Sequence, residues 1–585
     1  MRRFTCCLLV ALIGACSSSD GDGDGYAADV DCDDTSAAIH PGAEERCNLV
    51  DDNCDGTVDN DPIDGAMWLA DNDGDGFGGT YRACEMPADV VTVSTGGDCR
   101  DDVADAYPGS RVTEVPGDGI DTDCDGNDVC TDLNCDGLPD IAMPSHHDGD
   151  YAITQGARLL STGDRFEMDP TPTAMNGSLG AAVADFNKDG YPDIVHASYA
   201  QMDGAVVNVN TTSFVYWGPT HAMGTRSALP TRGAHWTCTG DFDDNGYVDI
   251  VFANNNDGTT ELTDSYIYWN RGGAFSPTDR TALPTQGAVY CAVDDLDGDG
   301  TLDIVFADWA AAGSFALDSY IYWGNASHTY GVDHRLALPT IGTRSLTIAD
   351  LNGDGRKELV FWAHHNGSVY TTSNNFIYWN RPGGFAPTDR TELAGMGPYR
   401  GAVSDLNDDG HPDIIIPGYY ADAANGWATP GTSYIYWGNA TSTYSPTNRA
   451  SLTVFGPLDV VVDDIDMDGH KDLLFPSHYD GDSAGTTVIF YGSATGTFSA
   501  ANRVELTSHE PVFGTAVADF NHDGFKDVFL PGYFFNASTP STPDPTPWNN
   551  AAYSRIYWGS ASGIKPSLYD QFMTRGAWDA VVVGK

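Results

Sequence analysis

The sequence predicts an all-β protein whose bulk is a β-propeller of four-stranded blades, and three observations predict it. A nine-residue, aspartate-rich loop recurs eight times, starting at Asp132, Asp185, Asp241, Asp295, Asp350, Asp405, Asp464 and Asp519. Successive starts lie 53, 56, 54, 55, 55, 59 and 55 residues apart, and a fixed period of that size marks a repeat architecture. Each period also holds four short β-branched or aromatic runs between Gly, Pro, Asp and Asn turns, the content of one blade.

Within a period the order is constant. A short apolar strand precedes the loop, as in Gly180-Ala-Ala-Val-Ala184 and Leu346-Thr-Ile-Ala349. The loop runs directly into a second strand, such as Ile250-Val-Phe-Ala253 or Ile304-Val-Phe-Ala307. After a variable connection comes an aromatic strand, as in Ser265-Tyr-Ile-Tyr-Trp-Asn270, Ser319-Tyr-Ile-Tyr-Trp-Gly324 and Ser433-Tyr-Ile-Tyr-Trp-Gly438. The fourth run carries Arg and Leu, as in Thr278-Asp-Arg-Thr-Ala-Leu283. In the first period Ala157-Arg-Leu-Leu160 stands where the aromatic strand belongs. The loop from Asp132 to Asp140 has no strand of its own before it, whereas Ala577-Trp-Asp-Ala-Val-Val-Val583 is such a strand with no loop after it. Pairing the two closes a ring of eight blades, with seven as the alternative.

The loops have the chemistry of a hard-cation cage. In Asp295-Leu-Asp-Gly-Asp-Gly-Thr-Leu-Asp303, carboxylates at positions 1, 3 and 5 converge, Gly300 permits the turn, and Asp303 closes the set. The ligands expected at positions 1, 3, 5 and 9 are Asp132, Asn134, Asp136 and Asp140, then Asp185, Asn187, Asp189 and Asp193. Asp241, Asp243, Asn245 and Asp249 follow, then Asp295, Asp297, Asp299 and Asp303, then Asp350, Asn352, Asp354 and Glu358. The last three sets are Asp405, Asn407, Asp409 and Asp413; Asp464, Asp466, Asp468 and Asp472; and Asp519, Asn521, Asp523 and Asp527. All-oxygen ligation by several carboxylates suits Ca²⁺ better than Mg²⁺, which keeps its waters. An EF-hand would need a Glu at position 12, where Phe252, Phe306, Phe361 and Phe475 stand inside strands. Asn245 and Glu358 are expected to weaken their loops.

The pattern Ala-Val-x-Asp-Phe/Leu-Asn-x-Asp-Gly-x-x-Asp-Ile-Val, repeated with Tyr-Ile-Tyr-Trp-Gly, resembles the FG-GAP/VCBS repeats of bacterial surface proteins, which are similar to the calcium-loop blades of the integrin α-chain propeller. The resemblance covers residues 129–585. Residues 31–128 use the same vocabulary with cysteines. Asp51-Asp-Asn-Cys-Asp-Gly-Thr-Val-Asp59 offers Asp51, Asn53, Asp55 and Asp59, and Asp71-Asn-Asp-Gly-Asp-Gly76 offers Asp71, Asp73 and Asp75. With Asp31-Cys-Asp-Asp34 and Asp98-Cys-Arg-Asp-Asp102, this stretch resembles the metal-binding repeat named after a methanotroph copper-binding surface protein. Val115 stands where that pattern has a cysteine, so Cys124 is expected to pair elsewhere, with Cys130 or Cys135. The oxygen-rich ligand set favours Ca²⁺ over copper, and clustered cysteines in an exported chain read as disulfides. For Cys238 and Cys291, free thiols and a bond both stay open.

Composition and the first residues set the compartment. The chain has 84 acidic against 28 basic residues, a formal charge of −56, which makes nucleic acid and anionic membrane surfaces poor partners. Arg2 and Arg3, an apolar run to Ile13 and the small pair Gly14-Ala15 read as a signal peptide over 1–15. Leu12-Ile13-Gly14-Ala15-Cys16 resembles a bacterial lipobox, implying a lipidated Cys16, a tether over 16–30, and outer-membrane sorting from Ser17. Beyond the leader no run reaches about 18 apolar residues, so the membrane is expected to be met only through the lipid.

No nucleophile elbow, zinc-protease helix motif or phosphate loop is present, so no enzyme is expected. The leading expectation is a calcium-stabilised surface binding or adhesion module for an extracellular glycan or protein. The alternatives are a polysaccharide-acting enzyme and a metal-rich coat protein. Six residues beyond the final acid of each loop stand His146, Tyr199, Asn255, Trp309, His364, Tyr419, His478 and Tyr533. Ending the second strands, they are expected to ring the face opposite the calcium loops, either as a ligand face or as repeat-encoded packing.

Overall fold

In the computed structural model, the described residues are 20–584 apart from 28–29, 61, 85–90, 94, 101–102, 105, 109, 111–119, 123, 125–129, 146–153, 164, 169–172, 176, 204–205, 368–371, 421–429, 478–484, 509–513, 533–550, 576 and 578. The chain divides into two compact units, Met1–Glu114 with Asp118–Asp128, and Val115–Gly117 with Val129–Lys585. Among the described residues the regular structure is strand, with one short 3₁₀ turn at Val332–His334. No helix among them is long and apolar enough to cross a membrane.

The first unit has little apolar core and is held by covalent bonds instead. Its sheet has three strands, with Ala66–Asp71 between Gly79–Ala83 and Val91–Thr92. Disulfides join Cys32 to Cys54, Cys47 to Cys84, and Cys99 to Cys124. This corrects the expectation for Cys124. The absent cysteine at Val115 does not strand it, because its partner is the preceding Cys99, as Cys32 serves Cys54 in the first copy. Cys130 and Cys135 instead close a short loop of their own in the second unit.

Among the described residues of the second unit, eight antiparallel sheets of four or five strands follow one another, with a two-stranded hairpin, Gln201–Asp203 and Val206–Asn208, inserted in the chain between the second and third strands of the second sheet. Seven have four strands in simple chain order, as in Ala234–Gly240, Asp249–Asn254, Asp264–Asn270 and Phe275–Pro284 of the third. The first sheet takes Val581–Val583 from the chain's far end and places it beside Asp140–Met143, followed by Thr154–Ser161 and Phe166–Met168. Val583 pairs with Asp140 in the register by which Gly240 pairs with Asp249 and Asp294 with Asp303. The orphan strand and the orphan loop thus complete one sheet, with Thr154–Ser161 standing for the aromatic strand.

Alternation along each strand gives every sheet two apolar faces, and consecutive sheets share a core between them. The third and fourth meet through Val251, Ile267, Ile304 and Phe306. The eighth and first meet in the same way, through Phe520, Phe529 and Ile556 against Ile141, Leu159 and Phe166. Cys238 and Cys291, in the first strands of the third and fourth sheets, are joined as a disulfide.

The repeated tyrosine and arginine explain how neighbouring sheets are clasped. Tyr268 donates its hydroxyl to the Pro230 carbonyl of the preceding sheet at 2.5 Å, and Arg280 reaches the same oxygen at 2.8 Å. Tyr322 and Arg335 hold the Pro284 carbonyl at 2.6 and 3.0 Å. Each arginine also lies over the other tyrosine of its Tyr-Ile-Tyr run, at 4.1 Å for Arg280 on Tyr266 and 4.3 Å for Arg335 on Tyr320. The Tyr-Ile-Tyr-Trp and Asp-Arg-Thr-x-Leu-Pro segments are therefore two halves of one inter-sheet contact.

Deleting residues 577–585 should leave Asp140–Met143 as an exposed edge, producing aggregation and proteolysis within the first sheet. A truncated chain that stays monomeric, with the full chain's melting temperature and protease resistance, would contradict the role given to the last strand.

Candidate metal centres

Each acidic loop folds by pairing its own side chains with its own backbone. Asp295 Oδ1 accepts from the Asp299 amide at 3.1 Å and its Oδ2 from Gly300 at 2.9 Å. Asp297 accepts from Asp299 at 3.1 Å, and Asp299 from Thr301 at 2.8 Å. The sixth position requires glycine because its backbone is left-handed, at φ 89° in Gly300. The fourth position is left-handed as well, and Lys188, Asp244, Asp408, Met467 and His522 take it in their loops. Such turns aim the carboxylates inward. One carboxylate oxygen from each of Asp241, Asp243 and Asp249 lies within 4.8 Å of the others.

The acid at position 9 does more than the sequence indicated. One of its oxygens accepts the amide of position 2, at 2.8–3.0 Å in all eight loops. The other accepts an amide at or just past the end of the third strand, at 2.6–2.8 Å in seven of them. It therefore ties the loop to the second and third strands. The glycine ending Tyr-Trp-Gly is the trace of this tie, since a Cβ at Gly438 would lie 2.4 Å from the Pro412 carbonyl oxygen. In the third sheet Asn270 holds the place and spans to the Phe186 carbonyl at 2.8 Å.

Without a cation these acids are poorly accommodated. Burial, helped by the facing carboxylates, raises Asp193, Asp249, Asp303, Asp527 and Glu358 to about 7, and Asp413 and Asp472 to about 6. In the more enclosed first loop, burial and Asp132 lift Asp140 to about 9. Asp243 Oδ1 and Asp464 Oδ1 are buried and meet no donor from the protein. The donor set is all oxygen, several of its members are buried and charged, and the cages fit a hard divalent cation. The loops expected to be weaker carry an arginine instead. Arg271 bonds Asp243 beside Asn245, and Arg356 bonds Asp354 in the loop closed by Glu358.

The first unit repeats the device. Asp71 accepts from Gly74 and Gly76 at 2.6 and 3.2 Å, and the buried Oδ2 atoms of Asp73 and Asp75 meet no protein donor. Asp51, Asn53 and Asp55 form the same turn, with Gly56 donating to Asp51 at 2.9 Å. The Asp59 carboxylate accepts the amides of Asn48 and Leu49 at 3.0 and 2.9 Å. The buried Glu45 takes the Asn53 amide at 2.8 Å and the Asp59 amide at 3.0 Å, pinning the loop from outside. A further loop, Asp20, Asp22 and Asp24, lies in the stretch read as tether and has the same bonds, Gly23 to Asp20 at 2.6 Å and Tyr26 to Asp24 at 2.8 Å. Its signal, Asp-Gly-Asp-Gly-Asp-Gly from Asp20 to Gly25, is legible in the sequence. Asp31 and Asp98 stand beside cysteine sulfurs, but these are joined in disulfides, which leaves no thiolate for a soft metal.

At the opposite ends of the sheets, the expected ring residues meet only in part. Trp309 lies 5.8 Å from His364, and His364 5.5 Å from Tyr419. His364 and Tyr419 are buried and Trp309 is half-buried. The ring nitrogens of His364 engage the Gly397 carbonyl at 2.6 Å and the Tyr420 hydroxyl at 2.8 Å, so this histidine is packed and bonded within the fold. Tyr199 stands apart, against His235 at 5.9 Å. Arg344, which the sequence gave no reason to select, lies 3.7 Å over Trp309 and 4.8 Å over Tyr399. His146, His478, Tyr533 and Cys16 lie outside the described residues.

Comparison with known families places both units. Residues 31–60 and 98–128 match a family described as a "putative metal-binding motif". Residues 132–196, 241–306 and 295–361 match the FG-GAP-like repeat. Human integrin alpha-6 is 32% identical over 152 residues, which is 24% of this chain and 13% of that protein, so the chain spans a small part of its relative's length. Among solved structures, a "putative 6-phosphogluconolactonase" from Bacteroides uniformis covers 63% of this chain and 96% of its own, at 12% identity and a TM-score of 0.37. A protein from Lactobacillus plantarum covers 76% and 99%, at 10% identity and the same TM-score of 0.37.

The raised carboxyls give a pH signature. Asp249 titrates from 3.8 when free to about 7 in the fold, so the cation-free fold binds extra protons and loses stability as pH climbs through that window. In chelator, melting should therefore be higher at pH ~5 than at pH ~8, and excess Ca²⁺ should abolish or reverse that order. Melting in chelator that is indifferent to pH would contradict the assignment.

Proposed function

The chain carries FG-GAP-like repeats behind two copies of a metal-binding motif, and from that premise we propose an exported, lipid-anchored surface protein whose second unit is a closed, eight-bladed, calcium-bound β-propeller that binds an extracellular ligand and catalyses nothing. The observation that carries the reading is the division between the two ends of the sheets. One end is given to buried, mutually repelling acids, while the other presents Trp309, Arg344 and His365 on a packed aromatic base. Closure is supported by the pairing of Val581–Val583 with Asp140–Met143 and by the core shared between the eighth sheet and the first. Calcium is favoured over copper by the oxygen donors and the bridged cysteines.

Bound calcium supplies positive charge at the centre of each cage. The protein's own part is geometric. Position 9 locks its hairpin, the tyrosine clasp locks five of the blades to their predecessors, and rings at the far end are held in place before a ligand arrives. Such a surface suits a sugar face or an extended protein segment, with Trp309 stacking and Arg344 donating.

The calcium-loaded chain should bind a defined set of structures on a glycan array, and Trp309→Ala should lose that binding at unchanged melting temperature. Retained binding in Trp309→Ala, or its loss only together with stability, would return Trp309 to the core. A Cys16→Ala form should leave the membrane fraction, and normal retention there would remove the anchor.

A further inference from the structure

The first strands of the sheets, with the residues just before them, surround a cavity of about 470 Å³ at the ends away from the acidic loops. We propose that this cavity holds a single neutral sugar residue, as the end of a glycan chain. The inference rests on the binding-module reading and adds to it a place and a ligand class. The volume falls within the range of about 300–1,000 Å³ common to small-ligand pockets.

The lining makes a built site. Arg400 is gripped by Asp579 at 2.9 Å and faces Asp459 at 3.6 Å. Its guanidinium lies 4.5 Å over Trp236, which stacks on Tyr290 at 5.0 Å. Asp459 uses Oδ1 on the Val460 amide at 2.8 Å, which leaves Oδ2 turned to the arginine alone. Thr515 is 8% exposed, and its Oγ1 has no hydrogen-bond partner among the described residues. Thr347 accepts Trp362 Nε1 at 3.0 Å and so has its own proton left to donate.

These groups select among ligand classes. An anion would meet two carboxylates for one guanidinium. A second cation would lie against Arg400, which already covers the Trp236 face. An apolar molecule would leave Thr515 Oγ1 buried without a partner, at the full desolvation cost. A sugar offers adjacent hydroxyls that donate to Asp459 and Thr515 and accept from Arg400 and Thr347.

The test is calorimetry of the full calcium-loaded chain against free monosaccharides: neutral hexoses, N-acetylhexosamines, a uronic acid and choline. A neutral monosaccharide should bind in the millimolar range, and Asp459→Asn and Thr515→Val should each weaken it about ten-fold at unchanged melting temperature. If Asp459→Asn fails to fold, Thr515→Val decides. No neutral sugar bound at its solubility limit, binding indifferent to these substitutions, or preference for the uronic acid or choline would overturn the assignment. Should glycan-array binding still depend on Trp309 while the cavity variants behave as wild type, the binding module stands and only the cavity falls.

Discussion

Carboxylates forced to face one another are the constraint on which the rest of this structure depends. Each repeat buries an acid at position 9, whose two oxygens join the loop to the neighbouring strands. That placement brings it against the acids of positions 1, 3 and 5, and burial pushes its carboxyl up by several pH units. A fold that repeats this arrangement eight times within a chain of charge −56 needs positive charge from outside itself. Arg271 and Arg356 supply some in two loops, and bound cations are the proposed source for the others.

The remaining organisation follows from fixing those hairpins. With loop, second strand and third strand tied, the Tyr-Ile-Tyr-Trp run is held where its second tyrosine meets the preceding sheet's carbonyl and its first supports the arginine. Among the described residues, five of the sheets, the third to the sixth and the eighth, are then tied to their predecessors by a tyrosine hydroxyl, and consecutive sheets share a core face to face. At the ends away from the acidic loops the carboxylates of Asp459 and Asp579 are paired with Arg400, which lines a cavity with Trp236 and Tyr290, while Trp309 and Arg344 form a shelf.

Much of this was legible in the sequence because repetition turns weak local signals into strong ones. The four-strand order, the eight loops and the pairing of Ala577–Val583 with the first loop could be read from period and register alone. The double role of position 9 could not, since a ligand and a backbone acceptor have the same residue type. Its trace was the glycine after Tyr-Trp, which has meaning only once the approaching carbonyl is seen. The pairing of Cys99 with Cys124 repeats that of Cys32 with Cys54, a correspondence masked in the sequence by the missing cysteine at Val115. The face opposite the acids was chosen by counting six residues from each loop. That count finds strand ends but cannot tell a packed His364 from a half-buried Trp309, because the difference is made by Tyr399 and Tyr420 on other segments.

The account stands most directly on a count of bound cations. Equilibrium dialysis of the chelator-stripped and refilled chain against radiolabelled calcium should give eight or more ions per chain, one for each repeat loop, held against excess magnesium. A stoichiometry of one or two, or free exchange with magnesium, would mean that the facing carboxylates are neutralised by protons and arginines, and the central claim would fail.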